Sequence, residues 1–128
     1  MIIKHRGWAR HFCCADSCRF RLNTLIYAPK YYVKVVVSTV GLMYARNEEE
    51  PQTIGHQRYF ETMAFHADDS EFNDALVSHE IPFASKWAIN KIDGELEANE
   101  MHRKAVDKIC RMIRSGEIKE LKAKESNP

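Results

Sequence analysis

The chain has 128 residues, of which 45% are apolar and 29% are charged; this composition is typical of one globular domain and excludes general disorder. The formal net charge of +1 hides a strong segregation, because residues 1–46 carry eight Lys or Arg against one acidic residue, residues 47–100 carry three against thirteen, and residues 101–128 carry eight against four. The N-terminus has no hydrophobic segment of signal-peptide length, and the longest apolar run, 35–45, is too short to cross a bilayer. We therefore expect a cytoplasmic protein without a membrane segment.

The first half of the chain has the patterns of strands. Residues 19–27 alternate between two sides, which predicts a half-buried strand. After a turn at 28–30, residues 31–40 are dense in β-branched and aromatic side chains, and they predict the most buried strand, ended by Gly41. A short turn at Pro29 makes the two strands antiparallel. Residues 1–18 have no clear period and predict irregular structure, with at most a short strand at 8–13.

Three further segments extend the sheet. Residues 57–67 alternate again and predict a strand with both faces partly covered. Residues 76–81 and 85–92 are shorter extended segments separated by Pro82, so we expect them at an edge of the sheet.

The only long helical period covers 95–115. Its apolar positions recur at steps of three and four and form one broad stripe, made of Ala98, Met101, His102, Ala105, Val106, Ile109, Met112 and Ile113. Asp93 is the predicted N-cap and Gly116 the predicted C′ residue. Glu100–Lys104 and Asp107–Arg111 are expected as ion pairs between successive turns. His102 lies on the inner stripe, where we expect a core histidine bonded to a backbone carbonyl or a Glu, and not a metal ligand.

These elements predict the fold class. Strands that precede one long helix favour an α+β fold, with an antiparallel β-sheet of about four to five strands and one long C-terminal helix packed on one face. We expect residues 1–122 to form one domain and residues 123–128 to be a frayed tail.

The sharpest cluster of metal-binding residue types comprises His11, Cys13, Cys14 and Cys18. Thiolates and imidazoles are the ligands of zinc, but the spacing contains no Cys-x-x-Cys pair and lacks a second half-site. We favour packing of these cysteines as small apolar residues, with a zinc site as the alternative. With Cys110 far away, the four cysteines do not resemble a secreted disulfide framework, which again favours a reducing compartment.

Basic and aromatic residues are interleaved in the N-terminal third. Arg side chains contact phosphates and aromatic rings stack on bases, so nucleic acid is a candidate partner, with the candidate contacts Arg6, Trp8, Arg10, Arg19 and Arg21. No recognisable nucleic-acid-binding motif accompanies them in the sequence.

Four segments carry a resemblance to a known group of proteins. They are HFCCADSCRFRLNTLI at 11–26, VSTVG at 37–41, RYFETMAFHA at 58–67 and EANEMH at 97–102. Together they resemble a family of small hypothetical proteins of bacteriophages and prophages. The resemblance implies a phage accessory protein acting in the bacterial cytoplasm, and it implies no activity, cofactor or catalytic residue.

The sequence therefore favours a non-enzymatic protein that acts by binding a partner, expected to be another protein, with no resident cofactor. The alternative is a zinc-stabilised nucleic-acid-binding module that uses the basic N-terminal third. A hydrolase or redox enzyme ranks last, because no nucleophile, base and orienting group can be assembled from the sequence.

Overall fold

Alternating and β-branched sequences form the strands of one antiparallel sheet. The computed structural model describes residues 1–6, 17–44, 48–55, 57–67, 77–81 and 88–118. Its elements in chain order are β1 (Ile2–Arg6), β2 (Cys18–Ala28), β3 (Val33–Met43), β4 (Phe60–Ala67), β5 (Val77–Ile81), β6 (Ala88–Ile89) and α1 (Glu95–Arg114). A 3₁₀ turn, Pro29–Tyr31, joins β2 to β3.

The six strands are arranged in the order β1-β2-β3-β4-β5, and β6 pairs with β4. β5 and β6 use different parts of the same strand, because β6 pairs with Phe60 and Glu61 while β5 pairs with residues 64–67. Helix α1 contacts β2, β3 and β4. The predicted α+β class, with an antiparallel sheet and one long C-terminal helix, is confirmed, and the sheet has one strand more than the upper expectation.

Helix α1 packs on the sheet with the apolar stripe that the sequence predicts. Ala98, Ala105, Ile109 and Ile113 are fully buried, and Met112 is half-buried at the margin. The main core cluster joins helix residues to inward-facing side chains of β2, β3 and β4, including Ile26, Val35, Val37 and Ala64. The register of the amphipathic helix is therefore confirmed.

The ends and surface of α1 differ partly from the prediction. Gly94, and not Asp93, occupies the N-cap, and it offers no side-chain hydrogen bond. Gly116 has a φ of +81°, the left-handed conformation predicted for C′. On the exposed face, Glu100 and Asp107 both pair with Arg103. These two ion pairs take the place of the predicted pairs with Lys104 and Arg111.

Two strand boundaries are also corrected. β3 does not end at Gly41 but continues to Met43. Gly41 lies beneath the ring of Phe60 on β4, and a Cβ at residue 41 would lie 2.2 Å from Phe60 Cδ1. Close approach of a neighbouring ring, and not chain termination, explains this glycine. β1 occupies residues 2–6, where irregular structure was expected. The strand proposed at 8–13 and the tail at 123–128 lie outside the described residues.

Candidate functional site

A line of polar side chains crosses the interface between the sheet and α1. The pairing register places Thr39 directly opposite Thr62, and Thr24 lies on the adjoining strand. His102 reaches down from the helix between them: its Nε2 is 2.7 Å from Thr24 Oγ1 and its Nδ1 is 2.7 Å from Thr39 Oγ1. His5 on β1 extends the line through a 2.8 Å contact between its Nδ1 and Thr24 Oγ1. Four strands and the helix thus contribute one residue each.

All the contacts in this network can be satisfied when both histidines are neutral. A hydroxyl donates one hydrogen bond and accepts others, while a neutral imidazole donates from one nitrogen and accepts at the other. The hydrogen bonds can therefore all be donated in one direction, from Thr62 to Thr39, His102, Thr24 and His5 in turn, or all in the reverse direction. The 2.6 Å contact between Thr39 and Thr62 hydroxyls belongs to either order. The network consequently satisfies polar groups that would otherwise be costly in a core.

Burial keeps His102 neutral. The side chain is 5% exposed, and burial, with a smaller contribution from the nearby charge of His5, lowers its pKa from 6.5 to about 4. The predicted core placement of His102 is confirmed by this burial. Its partners differ from the expected ones, because they are threonine hydroxyls instead of a backbone carbonyl or a Glu.

A pocket opens beside the network, between β1, β2 and α1. Its volume is about 470 Å³, which is within the range of sites that bind small ligands. The apolar part of its lining comes from Ile3, Leu22 and Val106, while the polar part comes from Thr24, His5 and His102 in the network, from Asn99, Arg103 and Asp107 on the helix, and from Arg6 and Asn23. The pocket therefore brings the polar groups of the network and apolar walls together.

Arg6 and Asn23 form a buried pair at the end of β1. They face each other across the β1–β2 ladder, and Arg6 Nε donates a 2.7 Å hydrogen bond to Asn23 Oδ1. Arg6 is 8% exposed and Asn23 is 2% exposed. Because a guanidinium has only donors, this bond fixes the orientation of the Asn23 amide. Its Nδ2 is buried without an acceptor among the described residues.

The candidate zinc ligands cannot be assembled from the described residues. Cys18 is buried at the start of β2 and is not part of a disulfide; it packs in a cluster with Val40 and Ile54. His11, Cys13 and Cys14 lie outside the described residues. Within the part of the chain that is described, no group of three His, Cys, Asp or Glu side chains is close enough to hold a metal ion.

The candidate nucleic-acid contacts that the structure describes differ in their exposure. Arg6 is buried beside Asn23, whereas Arg19 and Arg21 are exposed on β2. The guanidinium of Arg19 stacks on the ring of Tyr44, with 3.9 Å between its Cζ and the ring centroid. Trp8 and Arg10 lie outside the described residues. The nucleic-acid hypothesis therefore stays a prediction.

Sequence reasoning found His102 but missed its partners and the pocket. Thr24, Thr39 and Thr62 lie within the three predicted strands at 19–27, 31–40 and 57–67, but no hydrogen-bond partner was predicted for them. His5 lies in the segment 1–18, for which irregular structure was predicted. The available signal was that each threonine takes an inward-facing position of an alternating strand, where a hydroxyl needs a hydrogen-bond partner. Which partner it has depends on strand register and on the placement of the helix.

Comparison with known proteins adds no family assignment. The chain matches no protein-family model, no curated protein and no solved structure. Among the described residues, no helix is long and apolar enough to span a membrane.

Proposed function

We propose that the chain is a non-enzymatic binding protein, and that it accepts a group of its partner into the pocket between β1, β2 and α1. The observation that carries this proposal is a pocket of about 470 Å³ whose inner wall is built on a hydrogen-bonded network. A wall held by residues from β2, β3 and α1 is preorganised, which reduces the entropy lost on binding.

The same geometry argues against nucleophilic catalysis at this network. The Thr24 and Thr39 hydroxyls each lie 2.7 Å from a ring nitrogen of His102, but both side chains are fully buried, and Thr24 contacts two imidazoles. A nucleophile must reach a substrate carbonyl or phosphorus as well as its base. His102 likewise has both ring nitrogens occupied by hydroxyls.

A fragment screen by ligand-observed NMR tests the proposal. The library should contain neutral, cationic and anionic fragments in equal number, so that the result does not depend on ligand charge. Ile3→Trp should block the pocket, because Ile3 lines it and is 46% exposed. The matched control is Ile2→Trp on the same edge strand, since Ile2 is 52% exposed and does not line the pocket.

We expect saturable fragment binding that Ile3→Trp abolishes and Ile2→Trp preserves. Typical fragment affinities are on the order of 1 mM, which this measurement detects. No saturable binding, or binding that is equal in both variants, would refute the pocket as the binding site.

A further inference from the structure

A second pocket, which we call the turn pocket, lies where the β2–β3 turn meets the end of α1. Its volume is about 280 Å³, and its lining comprises Met1, Ala28, Pro29, Lys30, Tyr31 and Arg114. Two of these residues, Lys30 and Arg114, are cations, and the described lining contains no carboxylate. The described linings of the two pockets have no residue in common. The turn pocket is therefore a separate site with a positive lining.

The two cations of the turn pocket are not neutralised by neighbouring side chains. Neither Lys30 nor Arg114 forms an ion pair with another described residue. Lys30 Nζ lies 5.9 Å from the centroid of the Tyr31 ring, and a contact of this kind attracts the cation without cancelling its charge. Both cations belong to exposed residues. Their charges are thus available to a ligand.

The β2–β3 turn holds Lys30 and Tyr31 in place. Pro29 begins the 3₁₀ turn, where its ring fixes φ. The N–H of Tyr32 donates a 3.1 Å hydrogen bond to the carbonyl oxygen of Pro29, and Tyr32 closes the turn in the left-handed conformation, with a φ of +55°. The pairing of β2 with β3 extends directly up to this turn. A site on such a turn is preorganised, which reduces the entropy lost on binding.

The helix end that carries Arg114 opposes an anion only weakly. The C-terminus of a helix has a partial negative charge of about half a unit, located on its unsatisfied carbonyl groups. In α1 the carbonyl oxygens of Arg111, Met112 and Ile113 accept hydrogen bonds from backbone N–H groups of residues 115–118. Because the full charge of the Arg114 guanidinium exceeds this partial charge, the net effect of the helix end on the turn pocket is attractive for an anion.

The pair of cations in the lining matches an anion with two charges. A phosphate group that is free or bound as a monoester carries about −1.5 to −2 at pH 7, whereas a carboxylate or a phosphodiester carries a single charge. A guanidinium donates two parallel hydrogen bonds to phosphate oxygens, and an ammonium binds phosphate as a compact point charge. Charge and donor geometry therefore both favour a doubly charged phosphate group.

We propose that the turn pocket binds a doubly charged phosphate group between the Lys30 ammonium and the Arg114 guanidinium. Free phosphate and a phosphomonoester share this chemistry. In a monoester, the esterified group lies against the ring of Tyr31, which also lines the pocket. The inference goes beyond the proposed binding function, because it concerns a different pocket and a different ligand.

Three probes test the ligand class and distinguish its sources. Phenyl phosphate is a monoester with two charges, methyl phenyl phosphate has the same ring and one charge, and inorganic phosphate has no ring. Dissociation constants are measured by titration of the ¹⁵N-labelled full chain at constant ionic strength, so that screening is the same for all probes. The backbone amides of Lys30 and Tyr31 are the local readout.

We expect saturable binding of phenyl phosphate, with a dissociation constant on the order of 1 mM. Methyl phenyl phosphate should bind about tenfold more weakly, since charge-assisted hydrogen bonds weaken with the charge of the acceptor. Tighter binding of phenyl phosphate than of inorganic phosphate would assign a phosphomonoester, and equal or weaker binding would assign the free ion. If neither doubly charged probe saturates, or if monoester and diester bind equally, the proposal is overturned.

Two substitutions with matched controls locate the site. Arg114→Gln and Lys30→Gln each remove one cation of the lining, and each should weaken phosphate binding by about tenfold. The controls are Arg111→Gln and Lys104→Gln, because both residues are exposed on α1 and neither is among the described lining residues. All four changes are at exposed positions, so the variants should remain folded.

Equal weakening in the control variants would place the phosphate elsewhere and overturn the assignment to the turn pocket. The fragment binding that Ile3→Trp abolishes should be the same in Arg114→Gln as in the wild type, since Arg114 does not belong to the described lining of the other pocket. Failure of the phosphate proposal is therefore distinguishable from failure of the proposed binding function.

Discussion

His102 couples the stability of the protein to pH. Its pKa is about 4 in the folded protein, below the ordinary value of 6.5, because burial disfavours the imidazolium. The unfolded chain therefore binds more protons between these two values. Stability from this group is complete above about pH 6.5 and is lost as the pH falls toward 4, and we expect a loss of about 2 kcal/mol between pH 7 and pH 5, measured by urea unfolding.

The control for this prediction is a pair of glutamine variants. His102→Gln removes the titrating group, so the loss between pH 7 and pH 5 should shrink. His5→Gln should retain most of the loss, because burial is the larger cause of the lowered pKa of His102. At pH 7, His102→Gln should itself cost about 2–4 kcal/mol, because two buried hydroxyls lose their imidazole partner. If the variant does not fold, an NMR titration of wild-type His102 replaces it. A ring that becomes protonated near pH 6.5 would contradict the prediction.

Gly41 makes a second residue-level prediction. A methyl group at this position would collide with the ring of Phe60, since it would lie 2.2 Å from Phe60 Cδ1. We expect Gly41→Ala to lower the free energy of unfolding by about 1–3 kcal/mol through overpacking. Combining it with Phe60→Leu should be less destabilising than the sum of the single changes, because the smaller side chain leaves room. Strict additivity in chemical denaturation would show that the ring is not the obstacle.

Helix α1 and the long strands were predictable because their signals are local. The stripe containing Ala98, Ala105 and Ile109 specifies which side of the helix is buried, whatever the neighbouring elements are. β1 has no such signal, since Ile2 and Ile3 are adjacent and both exposed, and the strand is defined by its pairing with β2. An edge strand of five residues depends on its partner more than on its own pattern.

The candidate site was less predictable than the elements that build it. Thr24 and His102 are 78 positions apart in sequence, and Thr39 and Thr62 are 23 apart. Their contacts form only when the β2–β3 register, the β3–β4 register and the position of the helix are all correct. Alternation predicts that each threonine faces inward, but it does not identify the imidazole that meets it.

The buried face of α1 gives an element-level prediction. Ile109 is fully buried in the main core cluster, so Ile109→Asp should place an unpaired carboxylate in an apolar environment. We expect a loss of several kcal/mol, on the order of 3–5. Lys104→Ala, on the exposed face of the same helix, should change stability by about 0.5 kcal/mol or less. Equal melting temperatures for the two variants would contradict the packing of the helix.

Whether the protein needs zinc in order to fold is a question about the whole molecule. The candidate zinc residues His11, Cys13, Cys14 and Cys18 have a spacing that lacks a second half-site. We expect the purified protein to contain less than one zinc per chain and to keep its circular dichroism spectrum in the presence of a chelator. One zinc per chain, together with unfolding on chelation, would promote the zinc-stabilised alternative.

The distribution of charge over the whole molecule leads to the last prediction, which concerns nucleic acid. Residues 1–46 carry a strong positive excess and residues 47–100 a strong negative one. Opposite charges within one small domain cancel at distances beyond the Debye length, which is about 8 Å at physiological salt. Of the basic candidates, Arg6 is buried, whereas Arg19 and Arg21 are exposed on β2.

We therefore expect oligonucleotides to bind weakly at physiological salt, with a dissociation constant of about 10⁻⁴ M or weaker, the weak end of non-specific association. Fluorescence anisotropy with labelled single- and double-stranded oligonucleotides measures this directly. Arg21→Ala tests the β2 surface, and Arg111→Ala on the exposed face of α1 is the control with the same change in charge. A real binding surface on β2 would lose affinity for all sequences alike in Arg21→Ala and not in Arg111→Ala, because each phosphate contact releases counterions. Micromolar binding by the wild type that is lost in Arg21→Ala and kept in Arg111→Ala, with both variants folded, would contradict the proposed pocket-binding function and favour nucleic-acid binding.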